Sequence, residues 1–221
     1  MKTKRVSLLF SAILILTTLI NSANATTDQT KMVLLNTING AISPKSVSAS
    51  NNGLVSAHNM MYRHSVTLYD AQTMELQATV SDSVQLSDFG YAKYSGNYKG
   101  APVEGAFSPD GKYLYFSNYA MYGKGFTKEG HDTCTPASGY DTSFLSRINL
   151  ENNKIDAVYP VGSVPKVVKV TPDNKYILVS NWCSYTVTII SVETQKTVKS
   201  IKIGRYLRGI SISSDSQFAY V

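Results

Sequence analysis

Apolar and polar positions alternate every second residue in short runs along most of this chain, the signature of half-buried β-strands. The clearest stretch spans residues 165–204. Val167, Val168 and Val170 make a first strand, Tyr176–Ser180 a second, Tyr185–Glu193 a third and Lys196–Gly204 a fourth. Val, Ile, Thr and Tyr dominate, as pleated strands prefer. Thr171-Pro172-Asp173-Asn174 separates the first two strands. Pro presets φ there, and Asn tolerates the left-handed region.

This pattern recurs. Asp110 of Ser108-Pro109-Asp110-Gly111 aligns with Asp173, and so does Asp215 of Ser213-Ser214-Asp215-Ser216. Ser50-Asn51-Asn52-Gly53 is a weaker copy. The step from Asp173 to Asp215 is 42 residues, and that from Asp110 to Asp173 is 63, so an inserted loop is expected in the longer one. Four short strands in about 42 residues is the size of one propeller blade. The expected fold is therefore all-β, a β-propeller of four-stranded antiparallel blades. Residues 44–80, 102–162 and 165–204 are three blades, and 208–221 is a partial one. Residues 31–40 resemble the fourth strand of a blade and predict a lone outer strand. Three and a half blades, ending inside a strand at Val221, predict a portion of a larger propeller, for which seven blades is one size, because a free sheet edge is otherwise left unpaired; the alternative is a four-bladed ring lacking one strand.

The turn Ser108-Pro109-Asp110-Gly111-Lys112 and the strand ends Tyr115-Phe116-Ser117-Asn118 and Leu178-Val179-Ser180-Asn181 resemble the YVTN-repeat β-propeller family. Ser191-Val192-Glu193-Thr194-Gln195 resembles that family's last turn, and the likeness covers about residues 30–221. It implies the fold. It carries over no catalytic residue, because the repeat motif itself is structural.

The first 25 residues read as a secretory leader. Lys2, Lys4 and Arg5 precede an apolar run, Val6–Ile20, and Ala23-Asn24-Ala25 offers a cleavage site. The run is shorter than the ~20 residues needed to span a bilayer. A periplasmic or secreted protein starting at Thr26 is expected, with no membrane span once the leader is removed. Without the leader, 18 Lys and Arg face 15 Asp and Glu. That mild, scattered positive balance does not by itself point to nucleic acid.

Function is expected in the two long insertions, residues 81–101 and 119–142. In a four-stranded blade both connections emerge on the same face, and long loops of compact folds commonly carry function. Tyr91, Tyr94 and Tyr98 lie in the first insertion, and Tyr119, Tyr122 and Phe126 in the second. Trp182 and Tyr185 sit at the corresponding corner of the next blade, and Arg205 and Arg208 flank the next inner strand. These are the candidate binding-face residues, for an unknown protein or a small ligand. The alternative is that the aromatic loops pack on each other and cap the blades. In an oxidising compartment Cys134 and Cys183 are expected to pair and staple the second insertion down.

His58, His64 and His131 are weak metal candidates, because no Cys or carboxylate pair completes a ligand set locally. No cofactor is expected. Glu104, Asp132 and Asp141 read as solvated carboxylates. The expected function is a non-enzymatic binding module on the insertion-bearing face. The alternatives are a propeller-type enzyme, such as a lactone hydrolase or an oxidoreductase subunit, and a polyanion or nucleic-acid binder.

Overall fold

The computed structural model describes residues 32–221. The expected leader and its expected cleavage site lie outside the described residues. The chain divides into two units, 1–35 and 36–221, and residues 32–35 of the first carry no regular structure.

Three four-stranded antiparallel sheets fill the second unit, each with its strands in chain order. The first blade is β1 (Ser46–Ala49), β2 (Leu54–Asn59), β3 (Ser65–Asp70) and β4 (Leu76–Ser81). The second is β5 (Lys99–Phe107), β6 (Tyr113–Tyr122), β7 (Phe144–Asn149) and β8 (Lys154–Pro160). The third is β9 (Pro165–Val170), β10 (Tyr176–Asn181), β11 (Thr186–Ser191) and β12 (Lys196–Lys202). A two-stranded sheet, β13 (Ser211–Ile212) and β14 (Ala219–Tyr220), begins a fourth unit. This is the all-β propeller architecture that the repeat implies.

One expected strand makes no ladder among the described residues. Residues 32–40 form no strand ladder, and residues 32–36 are solvent-exposed. A strand exists through its ladder hydrogen bonds, and no described strand pairs with this segment.

The repeated turn explains why every unit folds alike. The Ser108 hydroxyl donates to Asp110 Oδ1 (2.5 Å) and accepts the Tyr113 amide (2.9 Å). Thr171 with Asp173 and Tyr176, and Ser213 with Asp215 and Phe218, repeat both bonds. Hydrogen bonds from the Thr171 and Ser213 hydroxyls hold Asp173 and Asp215 below the usual carboxylate range. The next residue takes the left-handed conformation in all four units, at Gly53, Gly111, Asn174 and Ser216. Neighbouring turns are also tied together, Asn52 to Gly111, Asn174 to Asp110 and Ser216 to Asp173.

The core lies between blades. Val66, Leu68 and Val80 of the first blade pack on Leu114, Phe116 and Ile148 of the second. Tyr115, Leu145 and Tyr159 of the second pack on Val168, Ile177, Val179 and Ile190 of the third. Leu207 and Ile210 of the fourth unit cover Val167, Leu178 and Val187. Sheets stacked this way bury both faces of the second and third blades and leave the turns and connections at the two ends.

Candidate functional site

The first insertion runs from Asp82 to Tyr98 and contains one 3-10 turn, Leu86–Phe89. The second is shorter than its sequence span, because β6 continues to Tyr122 and pairs Tyr122 and Met121 with Lys99 and Gly100. The two insertions meet. Tyr94 stacks on Phe126 (5.0 Å between ring centres), and Tyr98 and Phe144 meet Phe126 edge-on. Val84, Leu86, Met121 and Val158 complete this small core. Tyr91, Tyr94, Tyr98 and Phe126 therefore cap the second blade. Tyr98, 1 % exposed, offers no surface to a ligand. Its hydroxyl donates to Lys124 O at 3.0 Å.

The rest of the second insertion is fastened to the third blade. Cys134 and Cys183 form a disulfide, with their Cα atoms 5.4 Å apart. The Tyr185 hydroxyl donates to Cys134 O (3.0 Å), the Trp182 indole nitrogen to Asp132 O (2.8 Å) and the Ser163 hydroxyl to Tyr140 O (2.9 Å). The Lys166 ammonium, almost fully buried, reaches Asp132 Oδ1 at 2.8 Å and lies 4.8 Å from the Tyr119 ring. Lys166 holds the Asp132 carboxyl below its usual range. Asp141 also stays within the insertion, where it accepts the Thr127 and Lys128 amides. Trp182 and Tyr185 thus act as staples, and Tyr185 is buried.

Between this stapled loop and the first blade lies a cleft of about 760 Å³. Its volume is in the range of small-molecule sites. Met60, Met61, Tyr62 and His64 line it from the β2–β3 connection. Lys99, Tyr119 and Tyr122 come from the second blade, and Glu129, His131 and Asp132 from the insertion. Lys45 and Lys166 come from the ends of the inner strands. Of the sequence candidates, Tyr119, Tyr122, His64 and His131 meet here. Tyr122 donates to Glu129 Oε1 (2.6 Å) and Tyr119 to Asp132 Oδ1 (3.1 Å). Burial and these carboxylates push both phenols upward.

His58 does not join them. It is buried, and burial pushes its imidazole down to about 4, so it is neutral at neutral pH. The Ser46 hydroxyl donates to Val103 O (2.7 Å), so it accepts from His58 Nδ1 (3.0 Å). The bare Nε2 then faces Gly105, where a Cβ would stand 2.3 Å away. His58 locks the first blade to the second. Arg205 and Arg208 also lie off the cleft lining. Arg205 lies over Tyr206, and Arg208 approaches Glu104 at 3.9 Å. Among the described residues no group of three or more His, Cys, Asp or Glu is placed to hold a metal ion.

Sequence reasoning passed over Lys45, Lys99, Lys166 and Asp82. Lys166 had a visible signal, a lysine inside the apolar run of a strand. Asp82 follows a fourth strand at the root of an insertion, with no pattern to single it out. Its side chain is fully buried, neither oxygen has a hydrogen-bond partner, and His64 Nδ1 is 3.5 Å from Oδ2. Burial raises the Asp82 carboxyl to about 6, against the pull of His64.

No family model matches this chain, and no curated protein matches it either. Among solved structures it is similar to the hydrazine synthase of Kuenenia stuttgartiensis, with a TM-score of 0.59 and 20 % identity. The match covers 86 % of this chain and 44 % of that one, so the chain spans less than half the length of that protein. At this identity the likeness is one of fold alone. What the chain shares with its structural neighbour is the β-propeller architecture.

Proposed function

We propose that this protein is an exported binding module, similar to YVTN-repeat propellers, that takes a small ligand into the cleft on its insertion-bearing face. One observation carries this reading. Two insertions distant in sequence converge, and a disulfide and an ion pair from the buried Lys166 to Asp132 fix the outer one as a wall. A wall held this firmly presents Glu129, His131 and Asp132 opposite Tyr119 and Tyr122 of β6 at little ordering cost on binding.

A thermal-shift screen of small molecules tests it. A ligand at a hundred times its Kd stabilises the fold by about 2.7 kcal/mol. Compounds that raise Tm in the parent are expected to lose that effect in Tyr122→Ala and Met61→Ala. They should keep it in Tyr176→Ala, an exposed tyrosine at the turn end of β10. Shifts that survive both cleft variants place binding elsewhere. Export has its own readout, an N-terminus at Thr26 in the recovered protein. An N-terminus at Met1 contradicts it.

A further inference from the structure

The charges of the cleft do not balance. Lys45, Lys99 and Lys166 face two carboxylates, of which Asp132 pairs with Lys166 and Glu129 accepts the Tyr122 hydroxyl, which leaves one positive charge in excess. Lys45 and Lys99 line the same cleft, are exposed, and make no ion pair among the described residues. A surface lysine is ordinary. Here, though, the cation is a repeated feature of the fold. Aligned on the turns, Lys45 after Pro44 and Lys166 after Pro165 hold the same repeat position, Arg208 holds it in the fourth unit, and the second blade has Val103 there. That position lies at the insertion-bearing end of the inner strand. Lys99 is added at the same end by the first insertion, where β5 begins.

His64 supplies a polar group of fixed orientation. Its Nδ1 donates to Gly100 O at 2.7 Å, with Asp82 at 3.5 Å behind it. The proton is thereby held on Nδ1, and Nε2 remains as the free ring nitrogen. Asp82 is a buried carboxylate without a hydrogen bond, an arrangement that weakens the fold. Groups of this kind persist at functional sites. Met61 and Tyr62, both exposed, give the cleft an apolar rim.

We propose that the ligand is a small organic carboxylate, with its charged head held by Lys45 and Lys99 and its apolar body against Met61, Tyr62 and Tyr119. This names the ligand class for the binding reading above and rests on it. A neutral compound of the same shape leaves both lysines unmatched and binds more weakly.

The chain carries its own reporter. Trp182 is the single tryptophan. Its indole nitrogen bonds Asp132 O, and its ring lies 5.2 Å from Lys166 Nζ, so its emission senses the cleft wall. Full-length protein is titrated with a panel of aromatic and aliphatic carboxylates, each paired with its primary amide. At least one carboxylate is expected to bind about tenfold or more tighter than its amide. That preference should fall at least fivefold in Lys99→Gln and in Lys45→Gln. Both residues are exposed, so these variants are expected to fold as the parent does. Equal affinity for carboxylates and amides overturns the inference and leaves the binding reading standing. So does a preference unchanged in both lysine variants. No saturable change with any compound removes both.

Discussion

The second and third blades share one repeat and differ in what surrounds a single asparagine. In the third, Asn181 Oδ1 accepts the Gly162 amide (2.9 Å), and its Nδ2 donates to Thr186 Oγ1 and Thr188 Oγ1. In the second, Asn118 Nδ2 donates to Phe144 O and Ser146 Oγ, but its buried Oδ1 has no donor. Gly162 ends a short connection. Its counterpart in the second blade is the long insertion, which brings Gly100 against the amide instead, so close that a Cβ would stand 2.1 Å from Oδ1. In the regular blade the repeat satisfies this asparagine. In the interrupted blade it does not, and Asn118 and Asp82 are left over around Gly100, next to the cleft. The regular blade shows what holds the fold together, and the interrupted one shows where to look for function.

The largest expected effect breaks the tie between insertion and third blade. Replacing Cys134 and Cys183 together by serine frees a loop of about 50 residues, worth about 4 kcal/mol in the chain-entropy account. Denaturant unfolding of the oxidised parent and the double variant measures it. A loss under 1 kcal/mol means the remaining bonds hold the wall alone.

Next comes Asp82, on the interrupted side. Its folded value, near 6, lies above the 3.8 of the unfolded chain. The folded state therefore binds the proton more tightly. Its stabilising contribution is complete below pH 3.8 and is lost as pH rises through 6. The difference corresponds to about 3 kcal/mol. Asp82→Asn is expected to gain stability of that order at pH 8, with the gain shrinking toward pH 4. His58 runs the opposite way. Its depressed value favours the fold above pH 6.5, and that benefit is lost as pH falls through 4. The net loss of stability on acidification is therefore steeper in Asp82→Asn, which lacks the opposing Asp82 contribution, than in the parent. A gain for Asp82→Asn that does not vary with pH would contradict the assignment.

The smallest effect sharpens the comparison itself. Asn181→Ala strands the Gly162 amide as well as its own partners, whereas Asn118→Ala strands no donor. At about 1 kcal/mol per net hydrogen bond, Asn181→Ala should cost roughly 1 kcal/mol more than Asn118→Ala. Equal losses would mean the Oδ1 bond contributes nothing.

The blades were legible in the sequence because their determinants are local. A hydroxyl and an aspartate two residues apart define the turn, and alternation defines the strands beside it. The Cys134–Cys183 pair was legible because the blade topology places both residues at the same end. The lone strand expected at 31–40 has no ladder partner among the described residues, and alternation alone does not supply one. The aromatic loops read equally as a binding face or as a cap. The difference depends on which rings meet, and Tyr94 on Phe126 is a contact between separate insertions. Lys45 and Lys99 were silent because an unpaired lysine acquires meaning through its neighbours in space. Asp82 was silent because its isolation is a property of the folded interior.

The central claim is that the second insertion is an ordered wall and not a mobile loop. Amide hydrogen exchange tests it most directly at Thr127 and Lys128, whose amides bond to Asp141 Oδ2, and at the Trp182 indole, bonded to Asp132 O. Protection approaching that of β11 is predicted, with loss on reduction of the disulfide. Exchange at the rate of an unstructured loop in the oxidised protein would contradict the wall and the cleft it bounds.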